Sequence, residues 1–147
     1  MRARIVVLGL MSIASIAPCA AARGDMHRTS AIPLETMTFE EVASAQAAGT
    51  GCTWLGGMAS TRRIVMQKER EAVKRNGGIV VLRPAAGARE VFPYTYHRWT
   101  GGGMEVSIEN SGREVGRGSE HVETVATLTL TENGRSRSWR GRLSCGS

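Results

Sequence analysis

The chain has 147 residues, 19 Lys and Arg against 13 Asp and Glu, a formal charge of +6, three cysteines and few aromatics. That is the length of one domain, long enough to bury a modest core. No apolar run reaches the length that spans a bilayer as a helix, and no nucleic-acid-binding motif accompanies the positive charge.

Residues 1–22 read as an export signal. Arg2 and Arg4 form a positive start, and Ile5 to Ala17 supply an apolar stretch of about thirteen residues. Pro18 ends it, and Ala20-Ala21-Ala22 offers the small residues a signal peptidase reads, which places cleavage after Ala22. Two arginines leave with the signal, so the expected charge falls from +6 to +4. Cys19 in Ile16-Ala17-Pro18-Cys19 offers a second route, lipid attachment. Removal of Cys19 leaves Cys52 and Cys145, and an even pair in an oxidising compartment implies one disulfide. The expected location is the periplasm or the exterior, where nucleic acid is no partner.

Residues 23–37 are polar and mixed and read as a flexible leader; the domain is expected over 38–147. Thr38-Phe39-Glu40-Glu41 has the capping-box pattern, with Phe39, Val42, Ala43 and Ala47 on one helical face and Gly49 ending the run. Cys52 and Trp54 then share one face of a first strand. Ile64–Gln67 and Ala72–Leu82 follow as β-prone runs, the latter folded at Asn76-Gly77, a strong hairpin signal because both central residues need positive φ.

Tyr94 to Glu109 reads as one hairpin about Gly101-Gly102. That turn sets Trp99 against Met104, His97 against Val106 and Thr95 against Ile108 on an apolar face. Arg98 then pairs with Glu105 on the other. Residues 110–119 are polar and Gly-rich and read as a loop. The last hairpin, about Asn133-Gly134, sets Leu128 against Trp139, Ala126 against Gly141 and Val122 against Cys145. A slip of one residue there would expose Trp139 and Leu143, so the register is well specified. Short strands between tight turns predict a mainly β fold, a small antiparallel β-sandwich or barrel with one short N-terminal helix and a single disulfide.

The chemistry-bearing residues are scattered. His27, His97 and His121 lack metal-ligand spacing, and no metal or other cofactor is expected. Apart from Asp25 every acid is Glu, so a Ser-His-Asp constellation is hard to build, and no Gly-x-Ser-x-Gly is present. The glycine clusters lack a following helix and Lys, and read as turns. Two surfaces remain as candidate binding sites: Tyr94, Tyr96 and Arg98 as an aromatic–Arg stripe, and Arg140 and Arg142 beside a Ser/Thr ladder. Tyr and Arg are enriched where proteins bind partners. The expected function is non-enzymatic binding of an envelope macromolecule, either an envelope protein or an anionic polysaccharide; an enzyme of unrecognised type is the more distant alternative.

The succession of a helix, Gly51-Cys52-Thr53-Trp54, an Asn-Gly hairpin, a Trp-Thr-Gly-Gly hairpin and a terminal Leu143-Ser144-Cys145-Gly146-Ser147 resembles small exported proteins of the Gram-negative periplasm, a resemblance that implies no activity. The early Cys, the Trp-Thr-Gly turn and the late Cys also resemble the periplasmic inhibitors of c-type lysozyme, β-barrels that insert a Ser-Gly-x-x-Tyr/Lys loop into the lysozyme cleft. Here Ser111-Gly112 is followed by Arg113-Glu114-Val115, without the aromatic and in a different place relative to the strands; the resemblance implies inhibition of c-type lysozyme as the alternative function.

Overall fold

A computed structural model of the chain describes residues 34–56 and 61–147. The expected export signal, its cleavage point and Cys19 lie outside the described residues. The element order is α1 (Phe39–Ser44), β1 (Gly51–Gly56), β2 (Thr61–Gln67), β3 (Arg70–Arg75), β4 (Gly78–Pro84), β5 (Glu90–Phe92), β6 (Thr95–Tyr96), β7 (Arg98–Gly101), β8 (Met104–Arg117), β9 (His121–Glu132) and β10 (Arg135–Gly146).

Eight strands close into an antiparallel barrel in the order β1-β10-β9-β8-β7-β4-β3-β2, and β5 and β6 form a separate hairpin. Closure removes the free edges that an open sheet would expose. Inward residues alternate with outward ones and fill the interior: Trp54, Ile64, Met66, Val73, Leu82, Trp99, Val106, Leu128, Leu130 and Leu143 are all buried. The barrel is therefore a packed core and not a channel.

A second, smaller apolar layer lies on the outside. Val42, Ala45 and Ala47 of the helical segment, with Met37, cover the outward faces of Val65 and Ala72. The capping box forms as the sequence implies: the Thr38 hydroxyl accepts from the Glu41 N–H, and the Glu41 carboxylate accepts from the Thr38 N–H at 2.8 Å. Lys74 reaches the same carboxylate at 2.6 Å and, with the Thr38 N–H, holds its pKa below the usual value. Phe39, expected on the buried face, is 67% exposed. The reason is length: α1 is under two turns, and only Val42 of it points at the sheet. Of the expected leader, Leu34–Met37 is docked. Leu34 packs on the core and its carbonyl accepts from Arg63, while the Met37 N–H donates to the Arg62 carbonyl at 3.1 Å.

Three turns follow the sequence reading or depart from it instructively. Asn133-Gly134 gives the expected register throughout, with Leu128 opposite Trp139 and Val122 opposite Cys145. Asn76-Gly77 likewise joins β3 to β4. In the third hairpin the turn is Gly102-Gly103, one residue later than expected, so Trp99 faces Val106 and Arg98 faces Ser107. Gly101 stays in the ladder because β4 lies against it: an added Cβ would come within 3.2 Å of the Val81 carbonyl and the Leu82 side chain. The faces survive because the slip moves each partner by two.

Two further expectations are corrected. Tyr94 to Gly101 is not one strand. It breaks at His97, whose Nδ1 accepts from the Arg89 N–H at 2.8 Å, and the chain divides between β6 and β7. Residues 110–117 are not a loop but the end of β8, kept on β9 by register shifts between Asn110 and Glu114 and again before Gly116. Polar, exposed side chains do not stop backbone pairing where a long partner strand continues beside them.

The disulfide joins Cys52 of β1 to Cys145 of β10, directly opposed residues 93 apart in sequence. It fastens the first and last strands of the barrel.

Candidate functional site

Antiparallel alternation gives the barrel two unlike ends. At the turn end lie the Asn76-Gly77, Gly102-Gly103 and Asn133-Gly134 turns. At the other, which the β5–β6 hairpin covers, lie the Lys68-Glu69 turn, the 85–97 segment and the chain's last residues. Phe92 and Tyr96 of the hairpin pack on the interior cluster. The hairpin is bound to the Lys68-Glu69 turn twice: the Glu69 N–H donates to the Tyr94 carbonyl at 3.3 Å, and the Tyr96 hydroxyl donates to the Glu69 carboxylate at 3.3 Å.

Tyr94 is the conspicuous residue of this end. Its φ is +61°, a left-handed conformation that costs a bulky side chain about 1–2 kcal/mol. The Glu90 carboxylate accepts the Tyr94 N–H at 2.7 Å and holds the turn in place. The ring is nevertheless 55% exposed, beside an open concavity of about 420 Å³ lined by Glu90, Phe92, Pro93 and Tyr94. The Tyr94 N–H and carbonyl are both bonded, to Glu90 and to Glu69, while the residue as a whole stays exposed.

The expected stripe of Tyr94, Tyr96 and Arg98 is divided by the structure. Tyr96 is half-buried, its ring edge-on to Trp99 at 5.6 Å, and burial followed by the Glu69 charge raises its phenol pKa. Arg98 is half-buried and donates to the Ala86 carbonyl at 2.8 Å, so it holds the 85–89 loop. Only Tyr94 of the three stands out. The second expected surface survives in outline. Arg140 is exposed, and Thr129–Ser138 and Thr131–Ser136 pair hydroxyls at 2.8 Å, but Arg142 is bound to Glu123 at 2.7 Å. Ser111, on the expected inhibitory segment, gives its hydroxyl to the Val125 carbonyl at 2.9 Å in the bulge of β8.

The sequence reading missed the most unusual group. Glu71 lies inward on β3, opposite Met66 and Leu82, and is fully buried. Neither carboxyl oxygen has a hydrogen-bond partner among the described residues, and burial pushes its pKa well above the usual carboxylate range. The Thr95 hydroxyl, also fully buried, is without a partner as well. Nothing in Arg70-Glu71-Ala72-Val73-Lys74 marks Glu71 as inward: β3 is buried on both faces, so the alternation that would reveal it is absent.

Beside the Lys68-Glu69 turn, Lys68, Arg70 and Arg83 line an open cleft of about 510 Å³ whose opposite wall is Ala43, Gln46 and Ala48. No carboxylate lines it. Gln46, Lys68 and Glu69 all have left-handed backbones, with φ of 55°, 47° and 59°. Among the described residues no cluster of His, Cys, Asp and Glu could hold a metal ion. No protein-family model, curated protein or solved structure matches the chain significantly.

Proposed function

We propose that this is a non-enzymatic exported protein of the cell envelope that binds an anionic polysaccharide at the end of the barrel carrying Tyr94. Residues 1–22 have the pattern of an export signal, and the Cys52–Cys145 bridge is compatible with an oxidising compartment. The observation that carries the reading is Tyr94 itself, strained at φ +61° yet exposed. An aromatic ring offers an apolar face to the C–H face of a sugar while its hydroxyl stays in water.

The chemistry around it favours a polar, charged chain over a protein surface. The exposed large apolar residues, Phe39, Val81, Val91, Tyr94 and Val115, are distributed over several elements, which suits a protein partner poorly. Cations flank the same end in Lys68, Arg70 and Arg83, and these raise the local concentration of an anionic chain.

Affinity electrophoresis through gels containing an acidic envelope polysaccharide tests this. The protein is expected to be retarded, and Tyr94→Ala to run free. Unretarded migration of the unaltered protein ends the reading.

A further inference from the structure

Resting on that reading, we infer that the cleft between the 43–48 segment and the Lys68-Glu69 turn binds a phosphomonoester carried on a sugar. Its three cations come from three places in the sequence: the β2–β3 turn, the start of β3 and the end of β4. Arg70 is oriented by Gln46, whose side-chain oxygen accepts from its guanidinium at 2.8 Å. Lys68 and Arg83 make no ion pair among the described residues. Like charges converging on one concavity repel, and a bound anion relieves that repulsion.

The charge count selects the anion. A monocarboxylate would offset one of three positive charges. A phosphate dianion offsets two, and its oxygens match the forked N–H donors of Arg70 and Arg83 with Lys68 as a point charge. The cleft is also wider than phosphate alone requires, and Ala43 and Ala48 make its far wall small and apolar, which leaves room for the sugar ring.

Isotope-labelled protein titrated at constant ionic strength with glucose 1-phosphate, inorganic phosphate, glucuronate and glucose provides the test. Glucose 1-phosphate is expected to shift the amides of Gln46, Lys68, Arg70 and Arg83. It should bind at least about tenfold more tightly than glucuronate, the scale of one charge-assisted hydrogen bond. Lys68→Gln with Arg83→Gln, both exposed positions, should weaken it by at least about tenfold with an unchanged melting temperature, whereas Arg135→Gln at the turn end should leave it unaltered. Equal binding of glucuronate would overturn the phosphate assignment, and equal binding of inorganic phosphate would overturn the sugar. An unaffected double variant would overturn the site. If these fail while Tyr94-dependent retardation persists, the cleft assignment alone falls; if glucose 1-phosphate binds but no polysaccharide is retained, the wider reading falls.

Discussion

The two ends of the barrel solve the same problem with different residues. Both need chain reversals, and both use positive φ. At the turn end those positions are Asn76, Gly77, Gly102, Gly103, Asn133 and Gly134, the residue types for which the left-handed region costs least. At the other end they include Gln46, Lys68, Glu69 and Tyr94, for which it costs more. One end thus makes its reversals with the residue types suited to them; the other makes them with Gln46, Lys68, Glu69 and Tyr94, and also carries the Lys68, Arg70 and Arg83 cations.

The disulfide offers the largest test of this division. It closes a loop of 93 residues and fastens β1 to β10. In the chain-entropy model, Cys52→Ala with Cys145→Ala should cost about 4–5 kcal/mol, read as the shift in denaturant midpoint. Retention of full stability would mean that barrel closure by β1–β10 pairing is sufficient without the bridge.

Glu71 offers the next. Its carboxyl has a folded pKa well above 4.5, so the folded state keeps a proton that the unfolded state gives up. This group's contribution is fully present below pH 4.5 and falls by about 1.4 kcal/mol per pH unit as pH rises from there towards the folded pKa. Met66 and Leu82, its neighbours across the strands, offer no countercharge. Glu71→Gln should remove this fall, and should melt higher than the parent at pH 8 while matching it more closely near pH 4. Parallel stability curves for the two proteins would contradict the burial of the acid.

A smaller effect separates the ends most sharply. Tyr94→Gly removes the left-handed penalty and should raise stability by up to about 1 kcal/mol while abolishing polysaccharide retention. Asn133→Gly, at the equivalent place in a turn of the other end, should change both quantities little. Phe39→Ser, exposed on the short helix, should shift stability by less than about 0.5 kcal/mol, because two-thirds of the residue stays in solvent.

How much of this could be read in the sequence follows the same division. The turn end was nearly all legible: Asn-Gly pairs flanked by alternating apolar residues specify both turn type and register. Only the glycine triplet was misplaced, because three consecutive glycines permit two turns and the choice is made by β4 packing on Gly101. The other end was poorly legible. Tyr94 is held by a long-range bond from the Glu69 N–H and a local one to the Glu90 carboxylate, and the inward Glu71 sits in a strand buried on both faces. The cationic cleft joins residues 46, 68, 70 and 83, which no local pattern links.

The most direct test of the central claim maps the ligand onto the barrel. Backbone amide shifts of the labelled protein, titrated with an acidic envelope polysaccharide, are predicted to change at residues 43–49, 67–70 and 90–96. Changes confined instead to the Asn76-Gly77, Gly102-Gly103 and Asn133-Gly134 turns and the Arg137–Trp139 cation–π pair, 5.7 Å apart, would contradict it.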